Sequence, residues 1–215
     1  MNFYLETDHP IAIDSPDHIE PRSTAKDNST SARFNKRLLE LYENKKPSVL
    51  DLGCSGGGLV KSLIDDGCVS VGLEGSDYSL NNQRAEWAII PESLFTCDLG
   101  FPFTLHTGDY KPYKFDVITA WEFLEHLPED RLETLLENIK RHIKPGGLVI
   151  GSISDFPSVW KVIDHHQTKK PLWWWSSLFG RYDFKRRTDL ESHFEVSNSW
   201  VRKVKYNFVF QEDEY

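Results

Sequence analysis

The stretch VLDLGCSGGGLV, residues 49–60, decides how this chain folds. It reads as a short strand, Ser48–Leu52, carrying an acid, Asp51, then a glycine-rich turn from Gly53 to Gly58, then a helix over Leu59–Asp66. Glycines in such a turn let the backbone pass close to a ligand, and the start of the helix presents unpaired N–H groups. A tight strand-to-helix turn that binds nothing would look the same. The neighbouring sequence has to separate the two.

Downstream, strands and helices alternate. Val69–Glu74 reads as a strand, Ser79–Ile89 as a helix, and Leu94–Asp98 as a third short strand. Phe115–Trp121 is largely apolar, as a central parallel strand should be. Glu129–His142 is an amphipathic helix with Leu132, Leu135, Leu136 and Ile139 on one face. The run Lys144-Pro145-Gly146-Gly147 reads as a stop and turn before the strand Leu148–Ile153. Near the C-terminus, Phe194–Val201 and Val204–Gln211 are spaced as an antiparallel hairpin. The pattern predicts an α/β fold of three layers: an open, mostly parallel sheet with helices on both faces and an antiparallel C-terminal hairpin.

Upstream, residues 1–30 are polar and rich in turn formers, and read as an irregular arm. A helix follows from Ser31 to Glu43 and stops at Pro47. Between the fifth strand and the hairpin lies a Trp-rich, basic insertion, roughly Asp155–Thr188. A segment of that length in a compact domain suits a lid or substrate-binding element. The expected organisation is one domain over 1–215: arm and helix 1–46, core 47–154, insertion 155–190 and hairpin 191–215.

Composition narrows the partners. A length of 215 residues suits one domain with a core that needs no staples, and 39% hydrophobic with 27% charged residues is a globular balance. The net charge of −8 argues against the nucleic-acid backbone as the main partner. No apolar run approaches the roughly 20 residues of a membrane span, and the opening MNFYLETDHP carries no leader-like apolar run. Cys54, Cys68 and Cys97 are odd in number and form no C-x-x-C pair, which suits buried thiols in a reducing compartment. The expectation is a soluble, cytoplasmic protein with no membrane span. Seven tryptophans, three of them consecutive at Trp173 to Trp175, stand out.

Three acids, Asp51, Glu74 and Asp98, fall at three strand ends on one edge of the predicted sheet. That suits a ligand with several hydroxyls or amines, and an acid at the end of the second strand can accept both hydroxyls of a ribose. It suits a pyrophosphate poorly, because carboxylates beside phosphate repel it. The G-x-x-x-x-G-K-[ST] pattern is absent.

In order and spacing, VLDLGCSGGG, VGLEGSD, FTCDL, FDVITAWEFLEHL and IKPGGLVIGSIS resemble the class I S-adenosylmethionine-dependent methyltransferases, with their Rossmann-like fold. The resemblance covers roughly Val49–Ser154, about half the chain. It implies S-adenosyl-L-methionine as cofactor, with Asp51 and Gly53 shaping the pocket for the methionine end. Glu74 would hold the ribose hydroxyls, Asp98 the adenine amino group, and Leu99 would lie beside the ring. Trp121 would line the pocket near the sulfonium, and Ser55, Gly57 and Gly75 complete the set. The resemblance also implies that the N-terminal arm, with His9, Asp17, His18 and Arg22, folds over the active site. Ser55 departs from the family, standing where the second glycine of D-x-G-x-G-x-G is common.

The acceptor side is less determined. Glu122-Phe-Leu-Glu125-His126 follows the fourth strand, and one helical turn would bring Glu122 and Glu125 to one face beside His126. His165 and His166 lie in the insertion and could close over the same point; with His165 as a fourth ligand, this set could hold Mg²⁺ or Mn²⁺ and lower the pKa of a bound hydroxyl. The E-x-x-E-H element with a downstream histidine resembles two metal-assisted O-methyltransferase subfamilies, the ubiquinone-pathway catechol enzymes and those that methylate the 3′-terminal 2′-hydroxyl of small RNAs. Metal-free relatives also carry E-H-L here; in that case His126 or His165 is the general base, or Glu125 and His126 merely cap the next helix.

His166, Trp173 and Trp174 are the candidate substrate-binding residues, although the tryptophan triplet as a whole reads rather as a hydrophobic plug. Lys161, Lys169, Lys170, Arg181, Lys185, Arg186 and Arg187 either meet an anionic substrate or form a solvated face. The leading expectation is O-methylation of a small-molecule or glycan hydroxyl. An RNA 2′-O-methyltransferase and a non-catalytic cofactor-binding partner subunit are the alternatives, and the sequence specifies no oligomeric state.

Overall fold

A computed structural model of the chain describes residues 1–194 and 205–213. Along the chain come β1 (Tyr4–Thr7), α1 (Pro16–Ile19), α2 (Ala32–Leu41), β2 (Ser48–Leu52), α3 (Gly58–Asp65), β3 (Val69–Glu74) and α4 (Tyr78–Asn81). Then follow β4 (Leu94–Thr96), β5 (Phe103–His106), β6 (Phe115–Trp121), α5 (Leu132–His142) and β7 (Ile143–Ser154). The last are β8 (Val159–Trp160), β9 (Ile163–Asp164), α6 (Leu172–Gly180), β10 (Phe184–Arg186), α7 (Thr188–Glu191) and β11 (Lys205–Glu212).

Seven strands form one sheet in the order β10-β11-β7-β6-β2-β3-β4. The pairs β2–β3, β3–β4, β2–β6 and β6–β7 are parallel; β11 runs antiparallel to both β7 and β10. Alternation along the strands divides the core. Val49, Val117, Leu148 and Ile150 pack with Phe34 and Leu38 of α2 and Leu59 and Leu63 of α3. Leu50, Leu52, Ile118, Ala120 and Val149 face the other way, onto Leu132, Leu135, Leu136 and Ile139 of α5. β2 is covered on both faces: all five of its residues are buried, and its two polar side chains, Ser48 and Asp51, are hydrogen-bonded to Asp116 and Thr119.

Strand order reverses between β2 and β6, so the crevice at their C-terminal ends is the topological switch point where open α/β sheets bind ligands. The predicted open sheet, its helices on two faces and its antiparallel C-terminal strand are all present. The strand that pairs with β11 on its outer side is Phe184–Arg186. The predicted partner, Phe194–Val201, lies beyond Phe194 outside the described residues.

Several predicted elements differ. The helix expected over Ser79–Ile89 is one turn of α4 and a 3₁₀ turn, Ala85–Ala88, broken where Gln83 and Ala85 adopt φ of 45° and 49°. The indole of Trp87 donates to the Ser55 carbonyl at 2.8 Å, so tertiary bonding overrides local helix preference there. Lys144-Pro145-Gly146-Gly147 is not a separate turn, because β7 begins at Ile143 and runs through it. The arm is not wholly irregular: β1 pairs antiparallel with β5. The insertion also has structure, with the β8–β9 hairpin, α6 and β10. No described helix is long and apolar enough to cross a membrane.

Candidate functional site

The C-terminal ends of β2, β3 and β6 and the loop after β4 open into one cleft of about 1460 Å³. Of the sequence-predicted site residues, Asp51, Gly53, Ser55, Glu74, Gly75, Asp98, Leu99, Trp121, Glu122, His126 and His166 line it. Gly57, Glu125, His165, Trp173 and Trp174 do not.

The glycine turn is tied to β3 first. The amides of Gly53 and Cys54 donate to the Leu73 carbonyl at 2.8 and 3.1 Å. Gly53 adopts φ +73°, and a Cβ there would lie 2.7 Å from Cδ2 of Phe123, so the close approach requires glycine. Ser55 follows at φ 48°, and its amide donates to Oε2 of Glu74 at 2.7 Å; the Ser76 amide donates to Oε1 at 3.2 Å. Burial lifts the Glu74 carboxyl to about 7 against the pull of those two amides. Burial likewise lifts Asp51 to about 7, opposed by the Thr119 hydroxyl, which donates to Oδ1 at 2.6 Å. Asp98 accepts from the Gly100 amide at 3.0 Å. Beside it, Phe101 stacks with the His9 ring at 3.7 Å and carries the Arg131 guanidinium at 4.0 Å.

The N-terminal arm passes over this edge. The Asp98 amide donates to the His9 carbonyl at 2.8 Å, and the Ala12 amide to the Gly75 carbonyl at 2.9 Å. Ser15 caps α1, accepting from the His18 amide at 3.1 Å, and His18 meets Asp77 at 3.5 Å. Further along, the Ser55 hydroxyl donates to the Asp27 carbonyl at 3.0 Å. A Cβ on Gly56 would sit 2.5 Å from Asn28 Oδ1, and one on Gly58 2.5 Å from the Asn28 carbonyl oxygen. These two glycines make room for the arm. The family resemblance implies an arm over the site, but nothing in the sequence marks Gly56 and Gly58 as the arm's seat rather than the ligand's.

After β6 the chain turns sharply. Glu122 adopts φ 50°, and its Oε1 accepts from the Ser152 hydroxyl at 2.7 Å. Leu124–His126 form a 3₁₀ turn that buries Glu125 completely. Its Oε1 accepts from the Ser154 amide at 2.8 Å, and its carbonyl from the amides of Gln167 and Thr168 at 2.8 and 3.0 Å. Its Oε2 is buried with no hydrogen-bond partner among the described residues. One ligand atom each of Glu125, His126 and His166 lies within 4.8 Å of the others, and the two rings meet edge-on at 4.9 Å.

The cluster therefore differs from the predicted ligand set of Glu122, Glu125, His126 and His165. His165 faces away, with Nδ1 and Nε2 at 3.3 and 3.0 Å from the carbonyls of Ser158 and Glu20. Residues adjacent in extended backbone point to opposite sides, so His166 reaches the cluster where His165 cannot. Nδ1 of His166 is bonded to the Phe156 carbonyl at 2.5 Å. His126 is bonded through Nδ1 to Oδ2 of Asp17 at 2.6 Å. Burial opposes charge on His126, but the Asp17 bond and the carboxylates of Asp17, Glu125 and Glu122 outweigh it and raise its pKa. Burial pushes Glu125 up, and burial with the neighbouring His126 pushes His166 down.

Residues 26–198 match the family model described as the methyltransferase domain. The chain belongs to the methyltransferase domain family. A ubiquinone biosynthesis O-methyltransferase of Proteus mirabilis is 32% identical over 111 residues, covering 48% of this chain and 40% of that protein. The chain thus spans less than half the length of the curated methyltransferases it matches. Two solved methyltransferases share the fold. The Burkholderia thailandensis 1,6-didemethyltoxoflavin-N1-methyltransferase, with its substrate and S-adenosylhomocysteine bound, has a TM-score of 0.61 at 16% identity, over 92% of this chain and 84% of that one. The glycopeptide N-methyltransferase MtfA with sinefungin has a TM-score of 0.57 at 16% identity, over 86% and 94%.

Past β7 lie the tryptophan triplet and the basic residues. Trp175, Leu178 and Phe179 form the buried stripe of α6, and Phe179 stacks on Phe210 of β11 at 4.2 Å. Trp175 is 1% exposed and Trp173 69%. Trp174 packs partly buried against the core, with Lys170 over its ring at 5.0 Å. Trp175, with Trp174 beside it, therefore plugs the antiparallel end of the sheet while Trp173 is exposed, and neither Trp173 nor Trp174 lines the cleft. The seven basic residues of this region are all paired: Lys161 with Glu20, Lys169 with Asp164, Lys170 with Glu129, Arg181 with Glu133, Lys185 with Asp213, Arg186 with Glu191 and Arg187 with Asp189, at 2.6–3.6 Å. None lines the cleft, so they give no support to an anionic substrate.

Proposed function

We propose that this chain binds S-adenosylmethionine in the cleft and methylates a hydroxyl of a small molecule, assisted by a divalent cation at Glu125, His126 and His166. One observation carries the metal part of the reading: the buried Oε2 of Glu125 lacks a hydrogen-bond partner among the described residues, beside two imidazoles. A buried acceptor left in that state costs about 1–3 kcal/mol, which a cation would recover. The donor set fits one. A carboxylate with two imidazoles favours Mn²⁺ over Mg²⁺, which prefers oxygen ligands and keeps its waters.

Each wall then has a task. Glu74 accepts from the ribose hydroxyls, Asp98 from the adenine amino group, and Asp51 with the Gly53 turn faces the methionine end. Leu99 and Trp121 exclude water, which strengthens the electrostatics of alignment. S-adenosylmethionine supplies an activated methyl group, and a bound cation supplies Lewis acidity that lowers the pKa of the acceptor hydroxyl. Glu122, at the rim of the cluster, is placed to take the released proton. His126 is a poor general base, because Nδ1 is bonded to Asp17 and Nε2 is given to the cation. His165 is a poorer one, since both its nitrogens are engaged.

The O-methyltransferase relatives support oxygen as the nucleophile. The paired basic residues weigh against an RNA acceptor. Incubation with radiolabelled S-adenosylmethionine, a catechol and Mn²⁺ tests the proposal. Transfer that excess EDTA abolishes and Mn²⁺ restores supports it; transfer that persists in EDTA removes the metal.

A further inference from the structure

The side chains nearest His126 do not all come from its own part of the chain. Asp17 lies 109 positions away, on the N-terminal arm, yet its Oδ2 is 2.6 Å from His126 Nδ1. Both side chains are largely shielded, at 17% and 16% exposure. We propose that Asp17 is a positioning residue: it fixes the ring of His126 with Nδ1–H donating to the carboxylate and Nε2 left for a ligand. The inference rests on the proposed cation site, and it adds the arm to that site.

Three features hold Asp17 in place. Pro16 sets the backbone at the first turn of α1, and Ser15 caps that turn. The Ala12 amide bonds to the Gly75 carbonyl at 2.9 Å, directly after the β3 strand that ends in Glu74. His18, the next residue, meets Asp77 at 3.5 Å on the far side of α1. Adjacent residues of one short helix thus grip two separate core segments, the turn after β6 and the start of α4. Asp17 reaches His126 when α1 sits across the ends of β3 and β6, so arm seating and orientation of His126 are one event. A carboxylate on the second ring nitrogen fixes tautomer and orientation of a metal-binding histidine and raises its basicity as a ligand.

The test uses the full chain, with Mn²⁺ as the probe and free Mn²⁺ read by electron paramagnetic resonance. Asp17→Asn keeps the size and the helix turn and removes the charge. We expect its Mn²⁺ affinity to fall about 10–100-fold, with Asp17→Glu recovering part of the loss. S-adenosylhomocysteine affinity should stay within about threefold, because Asp51, Glu74 and Asp98 are untouched. That second reading separates loss of the cluster from loss of the cleft. Equal Mn²⁺ affinity in Asp17→Asn and the parent overturns the inference.

In parallel, ¹⁵N NMR of the histidines reads the ring directly, with no metal added. The parent should show a strongly hydrogen-bonded Nδ1–H on His126 that Asp17→Asn loses. If the parent takes up no Mn²⁺, the cation reading fails and the NMR decides alone. An unchanged His126 signal in Asp17→Asn then rejects the positioning role, and its loss supports it.

Discussion

The Ser55 amide donates to Oε2 of Glu74 at 2.7 Å, from a backbone held at φ 48°. The serine that replaces a common glycine therefore binds the acid expected to hold the ribose, and its hydroxyl binds the arm through the Asp27 carbonyl. The turn works through its backbone, and that is why a serine suffices.

Glu74 should trade stability for binding. Its folded pKa, about 7, lies above the ordinary 4.5, so the folded state holds its proton more tightly. That contribution is whole below about pH 4 and is lost as pH rises through 7, a difference on the order of 3 kcal/mol. Glu74→Gln should therefore be more stable than the parent by about 1–2 kcal/mol at pH 8, with the gain vanishing at pH 4. Denaturant unfolding at the two pH values measures it. A gain of equal size at both would mean that the carboxylate charge is not its source.

The two consecutive histidines should separate. His166→Ala removes a cluster member, and loss of Mn²⁺ affinity by about 10–100-fold is expected. His165→Ala removes bonds to the Ser158 and Glu20 carbonyls and should leave Mn²⁺ affinity within about threefold. Calorimetric titration of both variants with Mn²⁺ ranks them, and the opposite ranking would restore the ligand set first read from the sequence.

Gly56→Ala should loosen the arm without breaking the sheet. A Cβ there meets Asn28 Oδ1 at 2.5 Å, the Asp27 carbonyl oxygen at 2.7 Å and an Arg84 nitrogen at 2.8 Å. Limited proteolysis should then cut within residues 20–28 faster than in the parent, at little change in Tm. Cleavage at the parental rate would show that the arm tolerates the methyl group.

The tryptophans should differ by burial. Trp175→Ala empties a fully buried site and should cost about 3–5 kcal/mol, whereas Trp173→Ala should cost under about 1 kcal/mol. Urea unfolding gives both values. Methyl transfer lost in a Trp173→Ala protein of normal stability would instead bring that indole back into substrate binding.

Local pattern carried much of this fold. β2, β3 and β6 have the predicted bounds, because strands buried on both faces are continuous apolar runs that end at acids and glycines. Asp51, Glu74 and Asp98 reach one cleft for the same reason: strand ends share an edge. What the sequence hid depends on distant partners. The Asp17–His126 contact spans 109 residues, and no periodicity encodes it. The choice of His166 over His165 turns on which side of the backbone faces Glu125. The basic cluster looked open to a substrate because four of its acids, Glu20, Glu129, Glu133 and Asp213, lie far off in sequence.

The most direct test of the account is a calorimetric titration of S-adenosylhomocysteine into the parent chain and into Glu74→Ala. Micromolar binding by the parent at one site is expected, with a loss of at least about 10-fold in Glu74→Ala, since buried hydroxyl acceptors of this kind contribute about 1.5–3 kcal/mol. No heat from the parent, or equal affinity in the two proteins, would contradict it.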